Sequence, residues 1–395
     1  MKNDMTNDMT KGNPVKLILL FSIPLLIGNV FQQFYSMVDT IIVGRFVGVD
    51  ALAAVGSTGS MVFLVNGFAT GLTSGFAVLV SQKFGAKDEK GLRKATASAI
   101  TLTVISVIVA TIVSLLGAKP LLKLMNTPEN IMGDAYIYVK IIYGGIIATV
   151  AYNFIASILR ALGDSKTPLY FLIVSSVLNI ILDLVFIINF KMGVAGAAYA
   201  TIISQGVSAI LCLIYTYKRF TILRLKKEDF NVKRRYYHKH LKIGIPMALQ
   251  FSITSIGIMT VQGALNVFGS TVIASYTAAS KALQLVMQPA ITFGVTMATY
   301  CGQNLGAKEY GRIKEGVKEC TKISIITSII AGAVLMFLGK YFVMMFISNP
   351  DAEVLKYAQQ VLDISAIFFI PLGLIFIYSN ALQGIGDSFV PMMAP

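Results

Sequence analysis

The chain alternates between long apolar runs and short breaks that are rich in charged or turn-forming residues. Each run stays apolar for about twenty residues or more, the length that an α-helix needs to cross the hydrocarbon core of a bilayer. A porin-like barrel is excluded, because its strands alternate apolar and polar residues. The pattern predicts an all-α polytopic membrane protein. Its ten predicted spans lie near residues 17–43, 51–80, 95–118, 135–160, 169–190, 194–217, 241–268, 272–302, 320–339 and 357–383.

Composition supports this interpretation, since 55% of the 395 residues are hydrophobic and only 13% are charged. A net charge of +14 would suggest nucleic acid as the partner of a soluble protein, but here it indicates the positive-inside bias of cytoplasmic loops. Three cysteines without paired spacing and two histidines predict neither a disulfide nor a zinc site. We therefore expect a lipid bilayer, and no nucleic acid, as the surroundings of this chain.

The breaks alternate in charge and so predict orientation. Residues 83–94 and 218–242 are strongly basic, whereas 44–50, 119–134 and 340–356 carry fewer cations per residue. The basic breaks and the N-terminus should lie in the cytoplasm, with the chain in the cytoplasmic membrane. The polar start of the chain has no apolar core, so we expect no cleavable signal before the first span. The 218–242 segment could also bind anionic lipid or a partner, although a topology determinant is the simpler interpretation.

Three short matches recur at nearly one spacing, which predicts an internal repeat. Ser22-Ile23-Pro24 returns as Gly244-Ile245-Pro246, Gln82-Lys83-Phe84-Gly85-Ala86-Lys87 as Gln303-Asn304-Leu305-Gly306-Ala307-Lys308, and Leu162-Gly163-Asp164-Ser165 as Ile385-Gly386-Asp387-Ser388. An even number of spans, six, separates the two starts, so the repeats should be parallel. The second copy ends four residues after its matching proline, Pro391, which predicts a truncated twelve-span protein. The expected domains are an N-lobe (1–217), a basic cytoplasmic linker (218–240) and a C-lobe lacking its last two helices (241–395).

Only two acidic residues fall well inside apolar runs, Asp39 and Asp183, while Asp363 lies near the start of the tenth span. A carboxylate inside the membrane is costly unless it faces a polar cavity or a partner, so it marks a candidate functional site. Tyr35 and Asn179 each stand four residues before one of these acids and therefore share its helix face.

The predicted topology places these side chains at a similar depth. At about 1.5 Å of rise per residue, Asp39, Asp183 and Thr201 should all lie roughly 6–12 Å below the outer ends of their helices. Two acids, an amide and a hydroxyl form an oxygen-rich set that could hold Na⁺ or exchange a proton. The alternative is that they only bond helices together.

Two further residues inside spans could serve transport. Pro24 removes a backbone hydrogen bond from the first span and so permits a hinge. Lys281 is a basic residue well inside a second-half span. It could line a cavity, pair with Asp363, or extend outward to the membrane surface.

These features resemble the multidrug and toxic compound extrusion (MATE) family over nearly the whole chain. The resemblance is carried by Pro24, Tyr35 and Val38-Asp39-Thr40 in the first span, by the Gln82-Lys83-Phe84-Gly85-Ala86-Lys87 loop and by Leu159-Arg160-Ala161-Leu162-Gly163-Asp164. It implies a twelve-helix antiporter whose two lobes form a V and expel organic, often cationic, compounds in exchange for Na⁺ or H⁺.

The resemblance also implies site residues. Those matching the family's N-lobe cation site are Asp39, Asn179, Asp183 and Thr201; Tyr35, Tyr138 and Asn153 match surrounding polar positions, and Pro24 matches the kink of the first helix. One branch of the family has acids in the seventh and tenth helices. This chain has Gln250-Phe251-Ser252-Ile253-Thr254 and Ile370-Pro371-Leu372-Gly373 there, so a second-lobe ion site of that kind is not expected.

The sequence therefore favours a monomeric antiporter for organic cations, with H⁺ or Na⁺ as coupling ion and no cofactor. One alternative is a lipid-linked oligosaccharide flippase, which would need several cavity cations where this chain offers Lys281. Another is a non-transporting membrane scaffold. An enzyme is not expected, because no set of nucleophile, base and metal ligands falls at one depth.

Overall fold

A computed structural model of the chain describes residues 8–265, 268–346 and 351–393. Every regular element in these ranges is helical. The α-helices are α1 (Pro14–Phe46), α2 (Val49–Gly85), α3 (Glu89–Leu124), α4 (Glu129–Gly144), α5 (Ile146–Ala161), α6 (Lys166–Leu184), α7 (Gly193–Arg219), α8 (Arg234–Leu265), α9 (Ser270–Val286), α10 (Gln288–Gly306), α11 (Tyr310–Met344), α12 (Ala352–Ile367), α13 (Phe369–Ile385) and α14 (Phe389–Met393).

Seven helices within the described ranges are long and apolar enough to cross a membrane, and they correspond to seven of the ten predicted spans. The fourth and tenth spans are each a bent pair of helices instead of one straight helix. The α4–α5 pair bends by 46° and the α12–α13 pair by 52°. The eighth predicted span is likewise two helices, α9 and α10, which meet at Met287.

Glycine and proline explain these three breaks. The α4–α5 break falls at the Gly144-Gly145 pair, which is a common cause of kinks. Pro289 and Pro371 lie in the first turns of α10 and α13, where a missing backbone N–H costs least. Pro24, by contrast, is buried inside α1, and the helix continues through it.

The segment predicted as a linker is partly helical. Helix α8 begins at Arg234, inside the predicted linker and before the apolar span predicted to start near residue 241. Two 3₁₀ turns, Thr221–Leu223 and Lys227–Phe230, occupy much of the rest. Phe220 is fully buried in the core formed by α2, α3 and α5, which attaches the segment to the helices before it.

We call α1–α7 the first half and α8–α14 the second half. The most extensive contact between any two helices joins the halves, with α2 packed along α8, and α1 packs on α10 in a second contact. At the α2–α8 contact a Cβ on Gly75 would lie 2.5 Å from Gly244 Cα, so the two backbones touch. At the α1–α10 contact the hydroxyls of Ser22 and Thr296 are hydrogen-bonded at 2.8 Å.

The halves meet near one end of the molecule, which we call the basic end because residues 83–94 and 218–242 lie there. The α1–α10 hydrogen bond farthest from this end joins Asn29 Nδ2 to Thr292 Oγ1 at 3.2 Å. Toward the opposite end, α8 is mostly exposed, with Ile256 and Val261 uncovered. The two halves therefore enclose a cleft that opens away from the basic end.

Candidate functional site

The two intramembrane acids come together in the first half. Asp39 on α1 and Asp183 on α6 lie within hydrogen-bonding reach of each other. Asp183 is fully buried and Asp39 is half-buried. One oxygen of each carboxyl group, Oδ1, is buried without a hydrogen-bond partner. Burying unpartnered acceptors this way is costly unless the site binds something.

Asn179 and Thr201 join this pair. Asn179 is fully buried one turn before Asp183. With its amide oriented to satisfy both neighbours, Asn179 Nδ2 donates to Asp183 Oδ2 at 3.1 Å and Asn179 Oδ1 accepts from the Thr201 backbone N–H at 3.2 Å. The Thr201 hydroxyl donates to Ala197 O of its own helix at 3.0 Å, which leaves its oxygen able to accept or to coordinate. All four predicted site residues are thus brought together.

A π-turn begins two residues after Asp183. Residues Val185–Asn189 adopt this wider helix at the end of α6, and the chain then reverses through Lys191 and Gly193, both with positive φ. Single π-turns inside α-helices occur frequently at functional sites. A Cβ on Gly196 of α7 would crowd Phe186 at 3.1 Å, so α7 packs closely against this turn. Hydrophobic periodicity could not predict the π-turn, because it remains apolar.

Of the three predicted surrounding residues, the two tyrosines lie next to the acidic pair. Tyr35 lies within hydrogen-bonding reach of Thr201, and both Tyr35 and Tyr138 lie close to the two carboxyls. Asn153 is half-buried on α5, and no hydrogen bond joins it to the other predicted site residues in the described part of the chain.

The predicted second-half residues do not form a matching site. Lys281 is exposed on α9. Asp363 Oδ1 accepts a hydrogen bond from Gln359 Nε2 at 2.7 Å, and no ion pair between Asp363 and Lys281 occurs among the described residues.

The arrangement favours a small cation. Among the described residues the ion pairs are Lys83–Asp88 and Lys322–Glu319, and neither lies near Asp39 and Asp183. The two acids therefore have no basic side chain to neutralise them. Carboxylate, amide and hydroxyl oxygens are the ligands of hard cations, and two touching carboxyl groups can also share a proton. No cluster of three His, Cys, Asp or Glu side chains suited to a multivalent metal occurs in the described ranges.

Comparison with known proteins identifies relatives over almost the entire chain. The MatE family model matches residues 24–185 and again residues 246–394. The chain is 33% identical to "Probable multidrug resistance protein YpnP" of Bacillus subtilis, over 96% of this chain and 84% of that protein. It is 30% identical to "Probable multidrug resistance protein YoeA" of the same organism, over 98% of this chain and 85% of that protein. An outward-facing multidrug resistance MATE family transporter superimposes with a TM-score of 0.93 at 24% identity, covering 100% of this chain and 87% of that one, which establishes the fold.

Proposed function

Because the chain belongs to the MATE family of multi-pass membrane transporters, which are not enzymes, we propose that it is a secondary antiporter for organic cations. In this proposal, outward transport of the compound is coupled to inward movement of H⁺ or Na⁺ through the first half. The basic end is cytoplasmic, and the open cleft faces the outside of the cytoplasmic membrane. The two halves are the lobes that alternate access.

One observation carries this proposal: Asp39 and Asp183 lie within hydrogen-bonding reach of each other inside apolar helices, and each has a buried oxygen without a partner. A pair that only joined helices would have its acceptors satisfied. An unsatisfied pair gains free energy when a proton or Na⁺ enters. In this proposal the pair is reached from the cleft through Asp39, which is half-buried and has the exposed neighbours Ser36 and Thr40 on α1.

The coupling follows from competition for this site. An organic cation in the cleft is attracted by the net negative charge of the pair, and a bound proton or Na⁺ removes part of that charge. Each ligand therefore weakens the binding of the other, and linkage makes this effect reciprocal. Entry of the coupling ion from outside releases the compound there. Pro24 is a proposed flexible point of α1 in the change of conformation that follows.

The test is efflux of ethidium from loaded cells with Na⁺ and pH gradients imposed separately. Efflux should follow one gradient, which identifies the coupling ion, and Asp39→Asn should abolish it at equal protein level in the membrane. Asp134→Asn is the matched control, because it makes the same chemical change at an exposed acid on α4.

Retained ethidium efflux in Asp39→Asn would reject the coupling site. Absence of efflux in the unsubstituted protein under both gradients would reject the antiporter. Transfer of a lipid-linked oligosaccharide across vesicles would then support the flippase, and no transport of either kind would support the scaffold.

A further inference from the structure

Two glutamines at the basic end make reciprocal hydrogen bonds between the halves. Gln82 Nε2, near the end of α2, donates to Gly384 O of α13 at 3.1 Å. Gln303 Nε2, near the end of α10, donates to Ala161 O of α5 at 2.9 Å. The two glutamines are equivalent in the predicted repeat. Their acceptors are equivalent too, because Ala161 directly precedes the Leu-Gly-Asp-Ser motif and Gly384 directly precedes the matching Ile-Gly-Asp-Ser motif. Each half thus holds the other through the same type of bond.

Glycines allow the helix ends to approach closely enough for these bonds. A Cβ on Gly85 would overlap the carbonyl oxygen of Gln303, and a Cβ on Gly306 would overlap that of Gln82. These overlaps are with backbone atoms, which cannot move aside without separating the halves. The pair of contacts is reciprocal, as a two-fold axis between the repeats would require.

The segment before α1 makes this symmetric arrangement unequal. The backbone N–H of Met9 donates to Gln303 Oε1 at 2.9 Å, and Met9 O accepts from Asn304 Nδ2 at 3.2 Å and Arg312 Nη2 at 3.3 Å. The Met9 side chain is fully buried in a core shared by α1, α10 and α13. Gln303 therefore uses both ends of its amide, whereas no second hydrogen bond to the Gln82 side chain occurs in the described ranges.

We propose that Gln82 and Gln303 form the clasp that holds the basic end closed, and that the Met9 segment is a strap that strengthens the Gln303 side. The clasp is the set of two glutamine-to-carbonyl bonds, and the strap is residues 8–12. This inference rests on the proposed alternating access, because a transporter that opens toward the cytoplasm must break both bonds in each cycle. Gln82 and Gln303 act as positioning residues, since neither lies at the Asp39–Asp183 pair.

Substituting the two glutamines should open the basic end to different extents, because their side chains make different numbers of hydrogen bonds. Gln82→Ala removes one hydrogen bond, whereas Gln303→Ala removes two, one to Ala161 and one from the strap. A hydrogen bond of typical net strength changes an equilibrium about five-fold. The ratio of open to closed basic ends should therefore rise about five-fold in Gln82→Ala and about twenty-five-fold in Gln303→Ala.

The experiment measures the distance across the basic end with two nitroxide labels, by electron–electron resonance on purified protein in nanodiscs. Lys87→Cys and Lys308→Cys provide the labelling sites, because both lysines are exposed and both lie three residues or fewer beyond the glycines of the clasp. The native Cys212, Cys301 and Cys320 are fully buried and should not label, which protein without added cysteines checks.

Each clasp variant is compared with a variant in which a glutamine outside the clasp is replaced. Gln288→Ala is the control, because this buried glutamine at the start of α10 donates to Gln284 O of α9, in its own half of the molecule. A chain that starts with an initiator Met before Asn13 lacks the strap but keeps Asn13 as the N-cap of α1. Melting curves confirm that every variant is folded before distances are compared.

The expected result is a longer-distance population that grows from parent to Gln82→Ala to Gln303→Ala, with Gln288→Ala unchanged. Without the strap, the two clasp variants should become equal, since each glutamine then makes one bond. An unchanged distance distribution in both clasp variants would overturn the clasp. A difference between Gln82→Ala and Gln303→Ala that persists without the strap would overturn the strap.

This outcome is separable from the antiport proposal, because the distance measurement requires no transport. A shift in distance in a protein that moves no ethidium would retain the clasp and reject antiport. Ethidium efflux together with an unchanged distance would reject the clasp and retain antiport.

Discussion

Replacing Asp183 with asparagine should stabilise the protein while abolishing its coupling. The substitution keeps the size of the side chain, so it creates no cavity at this fully buried position. It removes one of two like charges that lie within hydrogen-bonding reach. At about 4 Å and an effective dielectric constant of about 20, two unit charges repel by about 4 kcal/mol. The new amide can also donate a hydrogen bond to Asp39.

The gain in stability should depend on the coupling ion. When a proton or Na⁺ occupies the parent site, the repulsion is already relieved, so the substitution adds little. The parent should therefore melt at a higher temperature in acid or with Na⁺ than in alkaline, Na⁺-free buffer. Asp183→Asn should melt at one high temperature in all of these buffers, because it has lost the charge that the ion neutralises.

The cysteines of the chain provide the assay. A maleimide dye that fluoresces on reaction with thiols reports unfolding, because Cys212, Cys301 and Cys320 are all fully buried in the folded protein. The chain contains no tryptophan, so intrinsic tryptophan fluorescence offers no substitute. A lower melting temperature in Asp183→Asn, or an ion response equal to that of the parent, would refute the reasoning. Asp134→Asn again controls for the loss of one negative charge.

Two further outcomes follow from contacts outside the site. Gly75→Ala should destabilise the closed arrangement by about 1–3 kcal/mol, because its Cβ would lie 2.5 Å from an α8 backbone carbon, closer than the van der Waals contact distance of about 3.5 Å. Gly56→Ala is the control, because there is open space around Gly56, and this variant should melt like the parent. Equal melting temperatures of the two variants would contradict the packing argument. The Lys83 ammonium group and then the first-turn N–H of α3 hold the pKa of Asp88 below its usual range, so the stability that Asp88 contributes is present above about pH 4 and is lost as pH falls through the lowered folded-state value. Asp88→Ala should cost about 1 kcal/mol at neutral pH by removing the N-cap of α3, whereas Asp88→Asn should cost less because the exposed ion pair contributes little; melting curves check both, and equal losses would show that the ion pair and not the cap is responsible.

Sequence reasoning predicted the candidate site because its two acids are exceptional in their surroundings. Asp39 and Asp183 each stand within a long apolar run, and the regular rise of a helix converts sequence position into depth. Asn179 follows from the helix period. The sequence could not show which groups of Asn179 and Thr201 face each other, since that depends on the packing of α7 on α6.

The breaks in the spans were harder to predict, because proline occurs both inside a continuous helix and just after a break. Pro24 lies within a continuous helix, whereas Pro289 and Pro371 each follow a break. Hydropathy does not distinguish these cases. The difference arises from position, since a proline is tolerated in the first turn of a new helix without loss of a hydrogen bond.

The clasp and the strap were missed for different reasons. Gln82 and Gln303 were visible as a repeated motif, but their pairing with Gly384 and Ala161 is long-range and has no periodic signal. Met9 acts through its backbone N–H and C=O, and those groups are common to nearly every residue type. Only the path of the chain before α1 places the Met9 N–H and C=O groups between the two halves.

The two edges along which the halves meet differ in mechanical character. The α1–α10 edge has directional bonds, Ser22 to Thr296 and Asn29 to Thr292, which fail after a displacement of a few tenths of an ångström. The α2–α8 edge has backbone against backbone at Gly75 and Gly244, and beside it His240 Nε2 of α8 lies 3.0 Å from both Ala95 O and Ser98 Oγ of α3. Helix α8 is therefore held on the first half by close packing and by a buried histidine. In the proposed alternating access, α2 and α8 should stay in contact as the pivot, and the bonds between α1 and α10 should break first.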